Sequence, residues 1–289
     1  MKVLYSWLKD YVDIDIEPKE LETKLFSAGF EVEGIEYLGE NLENVVVGKI
    51  TAMEHYEGTH LQICHVDCGD KGHDHLILTG ANNVFVGAKV PAALVGAKLP
   101  CGLEIQPRKM VDMMSYGMLC SGEEMELNKD WYPGADVNGI MILAEDAPLG
   151  MEMRDYLELD DYLFDISITA NRPDCQSVIG IAKEVAAFLN KPFKAPDYSY
   201  EEDGTVNENI SVEVLDKETC PRYLGHYIYD VKCIESPLWM KRRLIALGHN
   251  AINAMVDITN YVLVEMGQPM HAFDLSTLAG SSIVVRRAE

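Results

Sequence analysis

Between Val45 and Met110 the chain repeats one texture, a short apolar run broken by glycine, at intervals of about ten residues. The runs are "VVVGKITAM", "HLQICHVDCG", "HLILTGA", "AKVPAALVGAKL" and "GLEIQPRKM". Strands this short leave costly bare edges in an open sheet, so the pattern predicts a small closed or nearly closed β barrel. "YGMLCSGEEMEL" is placed to close it, and "NKDWYPGADVNG" has the residues of a loop.

The flanks do not share this texture. "SWLKDYVDIDIEPKELETKLFSAGFEVEGIEYL" reads as two short helices and a strand. Ser6 suits the first cap, Pro18 suits the first turn of the second helix, and Leu21, Leu25 and Phe26 recur at helical spacing before Gly29. Val32, Ile35 and Tyr37 then predict extended chain. The mixed texture stops at Leu38 and resumes near Asp165, where "DISITANRPDCQSVIGIAKEVAAFLNKP" predicts strand, turn and helix. That helix has one apolar stripe (Val178, Ile181, Ala182, Val185, Leu189), an N-terminal carboxylate in Asp174 and a stop in Pro192. "KPFKAPDYSYEEDGTVNENI" has no period and reads as a linker. Beyond it, "ISVEV", "RYLGHYIYDVKC" and "IVVRRAE" predict strands. "SPLWMKRRLIALG", with Ser236 as cap, and "NAMVDITNYVLVEMG" predict helices.

Charge limits the functional classes. The 289 residues carry a net charge of −23. Basic against acidic counts are 4 and 9 over 1–39, 7 and 16 over 40–151, 5 and 12 over 152–204, and 8 and 10 over 205–289. Every segment is net negative, which argues against nucleic-acid binding by bulk electrostatics. No apolar run has bilayer length, residues 1–15 mix Lys2 and Lys9 with Asp10, Asp13 and Asp15, and seven cysteines are scattered. The expectation is a cytoplasmic protein with no signal peptide and no disulfide framework.

Motifs of phosphate loops, dinucleotide folds, serine hydrolases and zinc proteases are absent. Cys64, His65 and Cys68 have a metal-like look, but on a strand the cysteines share one face and the histidine takes the other, so they read as barrel residues. Lys241, Arg242 and Arg243 read as a solvated helix face. "GQPMHAFD" (267–274) sets the one histidine after residue 250 among Pro, Met and Phe. By chemistry alone it is a core histidine or a pocket residue.

"TANRPDCQSVIGIAKEVAA" closely resembles a signature of the β subunit of bacterial phenylalanyl-tRNA synthetase. "WLKDYVD" with "AGFEVEGIE" resembles the start of that subunit. "VVVGKI", "GANNVFVGAKVPAALVGAKLPCGLEI" and "SYGMLCSGEEMEL" resemble its OB barrel, and "VDITNYVLVEMGQPMHAFD" the start of its editing module. The resemblance covers almost the whole chain. It implies an α+β multidomain fold. A small α/β N-terminal domain (1–39 and 152–198) is interrupted by an inserted OB-fold barrel of tRNA-binding type (40–151). The first part of an α+β editing domain (205–289) follows.

The resemblance further implies part of a phenylalanine–tRNA ligase, an α2β2 enzyme acting on tRNA(Phe), with no membrane and no DNA partner. The α subunit carries aminoacylation with ATP and Mg2+, so none is expected on this chain. The β subunit hydrolyses mischarged tyrosyl-tRNA(Phe). Thr259, Asn260 and His271 match the family's editing pocket, with Gly267, Pro269 and Phe273 in support and no metal. An apolar surround for His271 is expected to keep the imidazole largely neutral. The sequence departs from the family in "HNAINAMVD" and "HYEGTHL", which lack its usual Arg-Pro and Pro-Asn-Ala-Asp. The alternative from a different class is a non-catalytic OB-fold RNA-binding or scaffold module.

Overall fold

A computed structural model describes residues 1–127, 132, 134–135, 138–201 and 210–288. The chain enters a sheet at once, in β1 (Lys2–Leu4), which the periodicity does not announce. Helices α1 (Tyr5–Tyr11) and α2 (Pro18–Ser27) and strand β2 (Glu31–Tyr37) follow. Leu21 and Leu25 are fully buried, but Phe26 is 51% exposed and does not continue their stripe. Ser6 does not cap α1, because Leu4 holds the cap position and Ser6 lies inside the first turn, two residues too late. Its amide and hydroxyl both donate to the Asp161 carboxylate, 155 residues away. That distant acid satisfies a helix-start amide that a local cap would otherwise take.

Seven strands form the middle block: β3 (Glu43–His55), β4 (Gln62–Asp67), β5 (His75–Thr79), β6 (Lys89–Lys98), β7 (Arg108–Met110), β8 (Met113–Ser115) and β9 (Gly117–Leu119). Five of them form a sheet in the order β5-β4-β3-β6-β9. β3 is long enough to pair with β6 over its first half and β4 over its second, with a register irregularity between Ile50 and Ala52 close to the changeover. The sheet nearly closes. Tyr116 N–H donates to Leu76 O at 2.9 Å, and the Ser115 hydroxyl accepts from Leu78 N–H at 3.0 Å. Val46, Ile50, Cys64, Val66, Ile77 and Val90 fill the interior. Of "GLEIQPRKM" only Arg108–Met110 is strand, and it pairs with β8 in a separate hairpin. Pro107 lacks the amide needed to extend it. The predicted loop over 128–139 lies largely outside the described residues.

The chain returns through α3 (Met153–Tyr156), β10 (Tyr162–Ser167) and α4 (Val178–Leu189). β10 pairs antiparallel with both β1 and β2, so the strand arriving after the barrel is the middle of the N-terminal sheet. Helices α1, α2 and α4 contribute to the core on this sheet, which includes Trp7, Leu8, Phe164 and Ile181, with Ile35 packed against the same cluster. α4 is capped by Ser177, which accepts from Gly180 N–H at 3.0 Å, and stops at Asn190 in left-handed geometry. Asp174 does not serve as its N-terminal carboxylate; it is engaged by Arg172. The start of the predicted linker is tied down, with Phe193 stacked on Tyr11 and Lys194 N–H donating to Tyr11 O at 2.7 Å. Its residues 202–209 lie outside the described ones.

The last region holds β11 (Ser211–Val214), α5 (Leu238–Ala246), α6 (Ala254–Met266) and β12 (Ser282–Val285), with β11 and β12 paired in parallel. The strand expected over 222–233 does not form. The segment adds no strand to the two-stranded β11–β12 sheet, and Leu224 and Ile228 stay 64% and 67% exposed. Ser236 is not the cap of α5; its hydroxyl donates to the buried Asp257 carboxylate, which also accepts from Ile252 N–H at 2.8 Å.

Candidate functional site

The residues singled out by the family resemblance lie on α6 and the turn after it. Asn253 starts α6, its side chain accepting from Met255 and Val256 N–H at 3.1 Å. Thr259 and Asn260 lie in the middle of the helix, half-buried, and the Thr259 hydroxyl donates to Val256 O at 2.7 Å. Gly267 ends the helix at φ 74°, a conformation that favours glycine, and its N–H donates to Leu263 O at 2.8 Å. A β-carbon on Gly267 would meet Ser177 Cβ at 3.5 Å and Gln176 O at 3.6 Å, so the turn starts against the entrance of α4.

Beyond Gly267 the chain is irregular through Phe273, and Pro269, Met270, His271 and Phe273 all face solvent. The His271 ring lies 6.1 Å from that of Phe273. This corrects the expected apolar surround: neighbours in an extended turn point outward with the histidine and do not enclose it. No hydrogen bond joins Thr259, Asn260 and His271 among the described residues, so they share an element and its exit but do not form a closed pocket. A cleft of about 600 Å3 lies elsewhere, in the barrel module, lined by Thr79, Glu104, Arg108 and Glu123 among others, and holds none of them.

The basic cluster is where the structure departs most from the sequence reading. Arg242 is not solvated: it donates to Tyr156 O at 2.6 Å and pairs with Glu158. Arg243 donates to Asp10 at 2.6 Å and to the Tyr261 hydroxyl at 3.0 Å, with its guanidinium 5.0 Å from the centre of the Trp7 ring. Trp7 stacks on Tyr261 at 4.7 Å. Lys241 pairs with Glu235 at 2.8 Å. Tyr11 donates to Glu265 across 254 positions, and burial, then this bond, pushes its hydroxyl pKa up. Burial pushes Tyr261 up to about 12. A helix read alone gives no signal of the partners of Arg242 and Arg243, since each sits more than 80 positions away or on another helix.

The "NRPDC" turn is a lock. Arg172 holds Asp174 at 2.9 Å, Glu184 at 2.8 Å and Cys175 Sγ at 3.0 Å, and lies over the Phe30 ring. Its hydrogen bond lowers the Asp174 pKa to about 2, while burial pushes the Cys175 thiol up to about 11. Asp174, Cys175 and Glu184 are near enough together to resemble a metal-ligand set. The Arg172 guanidinium already bonds to all three. Cys64 and Cys68 are buried on the barrel interior, and His65 turns to Asp74 at 2.7 Å. All seven cysteines are free.

Comparison with known proteins accords with this layout. Residues 45–152 match the family described as "Putative tRNA binding domain", and residues 219–289 match the "B3/4 domain". The whole chain is 44% identical to the phenylalanine–tRNA ligase β subunits of Syntrophus aciditrophicus and Clostridium acetobutylicum, and 42% identical to that of Salinibacter ruber. It spans about 35% of the length of these curated relatives. Along its whole length the chain is similar to part of the phenylalanine–tRNA ligase β subunits, and its matches to a tRNA-binding and a B3/4 domain follow in that order.

Proposed function

We propose that the chain serves in an α2β2 ligase that joins phenylalanine to tRNA(Phe) using ATP, and that it contributes part of the site that clears mischarged tyrosyl-tRNA(Phe). The supporting observation is the identity of 44% along the whole chain, across both domain families. In this reading residues 1–39 and 152–198 are one discontinuous α/β domain, 40–151 an inserted OB barrel, and 205–289 the first part of an editing domain. ATP and Mg2+ belong to the α subunit. The clustered Asp174, Cys175 and Glu184 do not suit Mg2+, which prefers oxygen ligands and retained water, whereas here a guanidinium fills the centre.

The chemistry follows from the substrate pair. A pocket for phenylalanine rejects tyrosine by only about 10²-fold when the difference is one added hydroxyl, so a second, hydrolytic site is needed. Hydrolysis of an aminoacyl ester needs a placed water and polar groups around the carbonyl. The exposed His271 offers a ring nitrogen to hold or move a proton at that water. Thr259 donates its proton within the helix, which leaves its oxygen lone pairs for a donor on the substrate. Gly267 and Pro269 fix the backbone that carries His271.

The barrel, with 7 basic and 16 acidic residues, acts through shape or protein contact rather than by counterion release. The 289-residue chain alone is expected to bind tRNA no more tightly than micromolar near physiological salt; sub-micromolar affinity there would contradict this. The test of the whole reading uses full-length β assembled with α. The complex should charge tRNA(Phe) with phenylalanine and hydrolyse tyrosyl-tRNA(Phe) faster than phenylalanyl-tRNA(Phe), while the isolated chain does neither. A complex that charges normally but leaves tyrosyl-tRNA(Phe) intact would reduce this chain to a scaffold.

A further inference from the structure

We infer that Arg243 is a positioning residue: with Tyr11, it seats α5 and α6 on the N-terminal helices and so fixes the turn that bears His271. The inference rests on the editing role proposed above for that turn, but the seat itself is a matter of contacts. Arg243 joins three partners from two other helices. Asp10 and the Trp7 ring come from α1, and the Tyr261 hydroxyl comes from α6. Its side chain is about one-quarter exposed, and the Trp7 ring it covers is fully buried. One guanidinium therefore ties α1, α5 and α6 together, using its face for the indole and its edge for two oxygens. Lysine has no planar face and cannot reproduce both.

The remaining contacts extend the seat along α6 toward the site. Tyr261, two positions after Thr259, stacks on Trp7. Val264 enters the same buried cluster as Val178 and Ile181 of α4. Glu265 accepts from Tyr11, and Gly267 abuts Gln176 and Ser177. Arg242 adds a bond to the carbonyl of Tyr156 beside the barrel. The last two turns of α6 are thus held at four successive points by residues of the N-terminal module. His271 follows four residues after Gly267, too near for its position to be independent of them. The "NRPDC" lock keeps the opposing surface rigid by binding Arg172 to Asp174 and Glu184.

The test uses the full-length β subunit assembled with α, with Arg243→Ala, Arg243→Lys and Asp10→Asn compared with wild type. Amide hydrogen exchange over 254–267 reads the seat without reference to editing. It should rise about tenfold or more in Arg243→Ala, with barrel amides unchanged. Arg243→Lys should fall between, and Asp10→Asn combined with Arg243→Ala should add little to Arg243→Ala alone. Hydrolysis of tyrosyl-tRNA(Phe) should fall about 10–10²-fold in kcat, as for a displaced catalytic group, with KM and phenylalanine charging little changed. Unchanged exchange over 254–267 in Arg243→Ala overturns the seat, and raised exchange with unaltered hydrolysis overturns its positioning role. If the wild type itself lacks hydrolysis while Arg243→Ala still raises exchange, the seat stands and the editing reading fails. Asp10→Asn, which removes only the half-exposed partner, repeats the test if Arg243→Ala does not fold.

Discussion

The barrel and the region after residue 210 reach stability by opposite routes. In the barrel, Ile50, Val66, Ile77, Val90 and Ala92 are all fully buried, and they come from strands that follow one another in sequence. After residue 210 the alternation is just as clear in "RYLGHYIYDVKC", yet Leu224, Ile228 and Val231 face water. The buried apolar side chains there are mainly on α5 and α6, and Val264 fills a core built by the N-terminal module. Alternation alone does not make a strand, since 222–233 stays unpaired although the two-stranded β11–β12 sheet has open edges. Where the partners lie hundreds of residues away, as for Arg243 and Asp10, the fold depends on contacts that local pattern does not encode.

The contrast predicts separable failures. The largest effect is expected for Trp7→Ala, which removes a fully buried indole stacked between Arg243 and Tyr261. It should cost about 3–5 kcal/mol, split thermal unfolding in two, and release α5 and α6 while the barrel persists; a single shifted transition would show that the regions are not separable. Gly48→Val is the converse. A β-carbon at Gly48 would meet Val66 Cγ1 at 2.6 Å and Ala92 Cβ at 3.1 Å, inside the barrel. Overpacking there should cost about 1–3 kcal/mol and lower the barrel transition alone, as read by amide exchange over β3–β6.

Smaller effects sharpen the same division. Arg172 lowers the Asp174 pKa from its ordinary 3.8 to about 2. A lowered folded pKa means that the lock's contribution is full above 3.8 and is lost as pH falls through about 2. Carboxyl titration by NMR should show this, and Arg172→Gln should return Asp174 toward its ordinary value. The smallest perturbation is thiol labelling at neutral pH. Cys101 and Cys233 are exposed and should react first. Cys64 and Cys68, pushed by burial to about 11 and about 12, should react only when the barrel opens. Early labelling of Cys64 would mean that the barrel is looser than its packing.

Periodicity made the barrel strands, helices α1, α2, α4, α5 and α6 and the stop at Gly29 legible. It failed where a side chain had a distant use. Ser6 and Ser236 have cap chemistry, but both are spent on remote aspartates, Asp161 and Asp257. The triplet Lys241–Arg243 has the composition of a solvated face, yet two of its members are ion-paired across helices. Phe26, next to Leu25 and five positions after Leu21, falls off their stripe by helix geometry and points outward. The candidate site was legible only through family resemblance. Residue chemistry alone left His271 between core and pocket, and the structure places it on an open turn.

The most direct measurement is tyrosyl-tRNA(Phe) deacylation by the complete α/β enzyme with His271→Ala in β. Hydrolysis should slow about 10–10³-fold, as for loss of one hydrogen-bonding or proton-handling group. Charging with phenylalanine should stay nearly intact, because the proposed synthetic site is on the other subunit. Unchanged hydrolysis, with the exchange pattern of α6 preserved, would contradict the assignment and leave His271 a surface residue of the turn.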